Sequence, residues 1–290
     1  MDWVRRVGRP APTHYQSSAQ YLAGPAAGGV IVAAAGTSWA FGMDAMSFAV
    51  SAACLLVMRV TARPRPAPGV SIIRQMSDGL RYTRSQPWLW WSMAALGIAN
   101  VASFVPIYIL QALLVQSVFR AGSLALGLLY ASNGLGRLLA AVYVKRRGAP
   151  RRRVLAMWLA WSAEGICAVF VGLSPDLIVA AIFICAIGVC GSYGNVLWFP
   201  ALQETVPADL LGRVSSLDWL VSLALAPLGT VLGGALAGIV GVRLTLILGG
   251  AIAAGTGSVL FLPGVRDPDR GAERAEPSRL GRRARSSPRP

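Results

Sequence analysis

The chain has 290 residues, of which 55% are hydrophobic and only 13% charged, with a mean hydropathy of +0.57 and a formal net charge of +15. Water-soluble domains carry about 25% charged residues, so this composition excludes an ordinary soluble domain. The apolar residues occur in blocks of about twenty, the length that an α-helix needs to cross ~30 Å of hydrocarbon. The sequence therefore predicts an all-α fold, a polytopic membrane helix bundle.

Eight hydrophobic spans are predicted in chain order, with a longer break after the second one. They cover residues 18–36, 38–58, 88–114, 121–144, 154–173, 177–199, 215–239 and 243–263. An even number of spans places both termini on the same side of the membrane.

The basic residues indicate which side that is. The two tails and the loops after the second, fourth and sixth spans hold 24 of the 27 Lys and Arg residues. Cytoplasmic loops carry such an excess, so both termini are predicted to be cytoplasmic in a multi-pass protein of the plasma membrane. The positive charge is thus a topology signal, and no nucleic-acid partner is expected.

The break between the two groups of spans covers residues 61–87 and begins with Pro64, Pro66 and Pro68, which prevent one continuous helix. Apolar positions then recur at helical spacing with Arg residues between them, which predicts a short amphipathic helix on the cytoplasmic leaflet. A solvated linker is the alternative. Residues 265–290 form an Arg- and Pro-rich tail that is predicted to be disordered.

An internal similarity relates the first two spans to the last two. Both pairs carry a proline, a double glycine and a final glycine in the same order: Pro25, Gly28-Gly29 and Gly36, then Pro227, Gly233-Gly234 and Gly241. If residues 88–264 form a six-helix half, residues 1–60 are the last two helices of its counterpart. Parallel six-helix halves are a known transporter plan. On this interpretation, four N-terminal helices are absent from the sequence.

Three stretches carry a resemblance to a known family: Gly24-Pro25-Ala26-Ala27-Gly28-Gly29, Ala40-Phe41-Gly42-Met43-Asp44-Ala45-Met46-Ser47-Phe48, and Leu202-Gln203-Glu204-Thr205-Val206-Pro207 with the following Gly212-Arg213-Val214-Ser215-Ser216-Leu217-Asp218. Their order and spacing resemble the last two-thirds of a major facilitator superfamily transporter, near the drug and siderophore exporters. The resemblance implies a twelve-helix plan with a substrate cavity between two halves. Nothing in the sequence corresponds to helices one to four of that plan.

The first of these stretches has a direct physical interpretation. Pro25 removes a main-chain donor and kinks the helix, while Gly24 and Gly28 allow a neighbouring helix to approach closely. The resemblance implies that Gly24, Pro25, Gly28 and Gly29 close a leak path during exchange transport. Tight helix packing alone is the alternative.

Two ionisable residues lie deep within predicted spans, where a charge is costly. Arg137 and Glu164 lie at depths of ~12 and ~16 Å from the same face, close enough for the long Arg side chain to reach the carboxyl group. We therefore predict that they pair, either as a proton-linked switch or as a static ion pair between neighbouring helices.

Other polar residues within the spans are candidates for coupling or for lining the cavity. Asp44 is a fixed feature of its helix on the basis of the resemblance, and Asn100, Asn133 and Asn195 either line the cavity or bond across helices. Asp218 follows Ser215 by three residues, which predicts a helix cap.

The predicted function is secondary transport: proton-coupled efflux of a small amphipathic molecule by alternating access. A truncated transporter, inactive alone or dependent on a partner chain that supplies the remaining helices, is the first alternative. A membrane-embedded enzyme is the second, but HExxH and GxSxG motifs are absent, so no catalytic residues are predicted. No cofactor or metal site is predicted either, because the four Cys are scattered and His14 is the single His. The expected partners are the lipid bilayer, a small-molecule substrate and the proton.

Overall fold

The computed structural model describes residues 37–57, 72–104, 106–266 and 268, and the regular elements among them are all helical. This confirms the all-α class. The α-helices are α1 (Thr37–Val57), α2 (Ile72–Ser85), α3 (Pro87–Ala99), α4 (Pro106–Leu113), α5 (Ser123–Arg147), α6 (Arg153–Leu173), α7 (Leu177–Thr205), α8 (Ala208–Ala224), α9 (Ala226–Val240) and α10 (Val242–Gly255). Two π-helical segments (Asn100–Phe104 and Leu114–Val118) and a 3₁₀ helix (Thr256–Phe261) extend them.

Within the described residues, six helical stretches are long and apolar enough to cross a membrane. They are Pro87–Val118, Ser123–Arg147, Arg153–Leu173, Leu177–Thr205, Ala208–Val240 and Val242–Phe261. These match the last six predicted spans, so the polytopic bundle is confirmed. The first predicted span lies outside the described residues, and the second corresponds to α1, in which Gly42–Val57 is apolar.

Local sequence signals explain where several helices begin and end. Pro87 occupies the first position of α3, where a missing main-chain donor has no cost. Asp176 caps α7, because its Oδ1 accepts hydrogen bonds from the main-chain nitrogens of Ile178 at 2.9 Å and Val179 at 3.0 Å. Gly241 joins α9 directly to α10 with a φ of 87° and a ψ of 157°, a conformation open essentially to glycine alone.

The bundle is held together by close helix pairs: α5 packs on α7, and α6 packs on both α7 and α10. Small residues permit this approach. A methyl group added at Gly165 of α6 would lie 2.8 Å from the Gly250 oxygen of α10, too close for a carbon atom. The stretch formed by α8 and α9 is the least buried of the six, and the described side chains of α1 are exposed.

Helix α2 is attached to the end of α7 and to α8 by polar contacts. Asp78 accepts a hydrogen bond from Arg213 at 3.3 Å, and the Tyr82 hydroxyl donates to the main-chain oxygen of Thr205 at 3.1 Å. Partial burial raises the pKa of the Tyr82 hydroxyl above its ordinary value. Gly79 faces the Arg213 main chain, so α2 and α8 lie close together.

A tryptophan cluster fills the core beside α3. Trp88, Trp158, Trp161 and Trp198 are all at most 4% exposed, and successive rings meet edge-on or tilted at centroid distances of 5.2 to 6.0 Å. The Trp158 indole donates to the Ser92 hydroxyl at 3.2 Å. Burial of these large rings provides much of the packing around α3.

Asp218 belongs to this core, and the prediction that it caps a helix was wrong. Helix α8 begins at Ala208, directly after Pro207, so Asp218 lies in the third turn. Its side chain is 5% exposed, and its Oδ2 accepts a hydrogen bond from the Trp198 indole at 3.2 Å.

Candidate functional site

A polar network surrounds Arg137 in the interior of α5. Arg137 precedes Lys145, in the basic last turn of the helix, by eight residues, which is ~12 Å along the axis. Its Nε donates to the Asn133 side-chain oxygen at 2.9 Å, and its Nη2 donates to the Tyr108 hydroxyl at 2.9 Å. Two of the predicted site residues are therefore in direct contact.

The network ties α4 to α5 through two tyrosines. Besides accepting from Arg137, Tyr108 offers its main-chain oxygen to the Tyr130 hydroxyl at 3.2 Å. Neither tyrosine was predicted as a site residue. One signal for Tyr130 was available, because Tyr130, Asn133 and Arg137 follow the i, i+3, i+7 spacing that places side chains on one helix face. Tyr108 had no such signal, since its contact depends on how two helices are rotated.

Asn133 also joins the network to α7. Its Nδ2 donates to the main-chain oxygen of Ile184 at 3.4 Å, and its side chain is 7% exposed. A methyl group added at Gly188 would overlap the Asn133 main-chain oxygen, and one added at Gly136 would overlap that of Cys185. Glycines on both helices thus set the distance between α5 and α7 that this contact requires.

Glu164 lies on α6 and points its carboxylate at α7. It follows Arg153, the first residue of α6, by eleven residues, which is ~16 Å. A methyl group added at Gly191 would lie 2.8 Å from Oε2 and 2.9 Å from Oε1, so the absent side chain at Gly191 makes room for the carboxylate. A direct ion pair between Arg137 and Glu164 stays a prediction.

The other candidate residues lie at further positions along the described helices. Asn100 begins the π-helical segment Asn100–Phe104 and is half-buried. Asn195 is exposed on α7, and Asp44 is exposed on α1. The motif Gly24, Pro25, Gly28 and Gly29 lies outside the described residues. The described part of the chain contains no group of three or more His, Cys, Asp or Glu residues that would hold a metal ion.

A family model described as "Transmembrane secretion effector", one of the major facilitator families, matches residues 19–278. This match covers most of the chain. The chain belongs to this family.

Curated relatives are consistent with the family. An enterobactin exporter from Escherichia coli O81 (strain ED1a) is 26% identical over 241 residues, which are 83% of this chain and 55% of that protein. Enterobactin exporters from Escherichia coli O139:H28 and Shigella boydii serotype 18 are each 25% identical over the same shares. The chain therefore spans about half the length of the curated relatives that it matches. No solved structure matches it.

The family match places the chain among the membrane proteins of the major facilitator type. In such a protein, the Arg137 network has a clear chemical capacity. It holds a cation, an amide and a phenol in fixed positions within an apolar bundle. Intramembrane groups of this kind mark substrate and ion pathways.

Proposed function

We propose that this chain forms the substrate-translocating part of a secondary transporter that exports a small amphipathic molecule across the plasma membrane, with both termini cytoplasmic. The observation that carries the proposal is the family match over residues 19–278 together with the polar network around Arg137. Transport proceeds by alternating access, in which two helical groups rock around a central cavity.

We assign proton coupling to the Arg137–Glu164 pair. When Glu164 is ionised, its carboxylate and the Arg137 guanidinium carry opposite charges within one apolar bundle and therefore attract each other. Proton uptake by Glu164 removes that attraction, whereas the hydrogen bonds from Arg137 to Asn133 and Tyr108 do not depend on the charge of Glu164. The two protonation states therefore favour different arrangements of the helices, as a coupled transporter needs. A static ion pair is the competing interpretation.

The curated relatives suggest where a substrate search should begin. They are named as enterobactin exporters, so enterobactin and an amphipathic fluorescent dye are the first compounds to test. Cells that lack their own exporters and express this chain should release the transported compound faster than cells with an empty vector. No difference for any tested compound, with the chain present in the membrane at normal levels, would count against transport by this chain alone.

The Glu164→Gln variant separates coupling from static pairing. It removes the titratable proton, preserves the side-chain shape, and should abolish the dependence of export on an imposed pH gradient. Glu204→Gln is the matched control, because Glu204 is an exposed carboxylate. It pairs at 2.6 Å with Arg153, the first residue of the helix that carries Glu164. A static pair predicts instead that Glu164→Gln lowers stability but leaves the gradient dependence unchanged.

A second proposal is that activity requires a partner chain that supplies further helices. It is favoured by two observations: the matched region covers 55% of the relatives, and the stretch formed by α8 and α9 is largely exposed. Co-purification of a partner membrane protein, together with export that appears only when both are expressed, would support this version. Export by the purified chain in liposomes would exclude it.

A further inference from the structure

An apolar groove of about 650 Å³ runs along α3 between the α8–α9 stretch and α10. Its lining is apolar except for Thr83 at one end and Thr245 at the other. None of the residues of the Arg137 network lines it. The groove is therefore separate from the proposed coupling site.

The wall of the groove on Pro87–Val118 is long enough for an acyl chain. It runs from Trp90 to Ala102, which is ~18 Å along a helix. One leaflet of a bilayer is about half of the ~30 Å hydrocarbon core, so this wall has the length of one leaflet. The opposite wall on α8 and α9 is longer, because it runs from Leu217 to Leu236, ~28 Å.

Cations lie at the end of the groove that is formed by α2. Leu80 and Thr83 line the groove, and Arg84 belongs to the same face of α2 by its spacing. The Arg84 guanidinium lies 4.9 Å from the ring centroid of Trp90, which also lines the groove. Arg81 is exposed three residues earlier. Tryptophan and arginine together are typical of the level of lipid headgroups.

We propose that the groove binds an anionic phospholipid, with acyl chain along α3 and headgroup phosphate on Arg84, next to Arg81. Charge complementarity selects an anionic headgroup, because basic pockets beside transmembrane helices bind such lipids. The apolar lining, the leaflet-length wall and the cations at one end each match one part of that molecule.

The test is a lipid titration of the purified full chain in detergent, followed by native mass spectrometry. Phosphatidylglycerol and phosphatidylcholine with identical acyl chains are compared. The first molecule of phosphatidylglycerol to bind should bind at least about fivefold more tightly than the first molecule of phosphatidylcholine. Arg84→Gln should weaken phosphatidylglycerol binding about fivefold, the equivalent of ~1 kcal/mol for one Arg near an anionic surface. Arg146→Gln is the matched control, since Arg146 is an exposed arginine in the last turn of α5.

A second variant tests the acyl-chain part of the proposal. Ala94→Phe places a ring in the groove and should weaken both lipids, whereas Ala235→Phe, on the exposed surface of α9, should not. Equal affinity for the two headgroups, or equal behaviour of the Arg84 and Arg146 variants, would overturn the proposal. So would unchanged binding in Ala94→Phe, or displacement of the lipid by the exported compound, which would make the groove part of the transport path.

Discussion

The contact between α5 and α7 allows a quantitative prediction for Gly188→Ala. A methyl group at this position would overlap the Asn133 main-chain oxygen and lie 3.0 Å from the Asn133 carbonyl carbon and 3.2 Å from the Arg137 nitrogen. All three are main-chain atoms, so no change of rotamer relieves the overlap and the helices must move apart. Overpacking costs ~1–3 kcal/mol. Because the obstacle is backbone, we expect a loss of about 3 kcal/mol, which is roughly two powers of ten in the unfolding equilibrium.

The matched control is Gly127→Ala, the same substitution on α5. An added methyl group there meets nothing within 4 Å. Alanine favours the helix by up to ~1 kcal/mol over glycine, so this variant should be as stable as the parent chain or more so. Unfolding by a denaturing detergent, followed by circular dichroism, measures both variants. If Gly188→Ala were as stable as Gly127→Ala, the close approach of α5 and α7 would be wrong.

The other predictions concern single contacts. Tyr108→Phe removes a hydroxyl that accepts from Arg137, and we expect a loss of about 1.5–3 kcal/mol in the same unfolding assay together with slower export; full export in this variant would remove Tyr108 from the site. Asp218→Ala leaves the buried Trp198 indole without its acceptor and should cost ~1–3 kcal/mol, while the asparagine substitution at the same position, which keeps an oxygen acceptor, should cost less. Gly241→Ala forces a side chain into a glycine conformation and should lower the thermal midpoint, at a cost of ~1–3 kcal/mol; an unchanged midpoint would contradict the described turn.

The positions of the last six spans could be predicted from the sequence because span length follows from bilayer thickness. The ends were harder to predict. The span predicted at residues 215–239 begins at Ala208 in the structure, because Pro207 starts the helix and the polar residues after it remain helical. The spacing of Ser215 and Asp218 matches that of a helix cap, but in the structure the Asp218 carboxylate accepts a hydrogen bond from the Trp198 indole instead.

The candidate site was predictable only in part. Arg137 and Glu164 could be found because ionisable residues are rare in apolar spans, and Asn133 because amides are rare there too. The role of Tyr108 could not be found, since it depends on the rotation of the helical stretch Pro87–Val118, which contains two π-helical segments. Asn195 was predicted on the same grounds as Asn133; it is exposed on α7, and its role stays a prediction. Depth along a helix can be counted in a sequence, whereas the face that meets a neighbour requires the packed bundle.

The most direct test of proton-coupled export is to measure both movements at once. The purified chain is reconstituted into liposomes that contain a pH-sensitive dye, and the transported compound is added on one side. Protons should move in the opposite direction to the substrate, and the dye should report this movement as a change of internal pH. The change should disappear in Glu164→Gln but not in Glu204→Gln. Substrate movement without any change of internal pH in the unaltered chain would contradict the account.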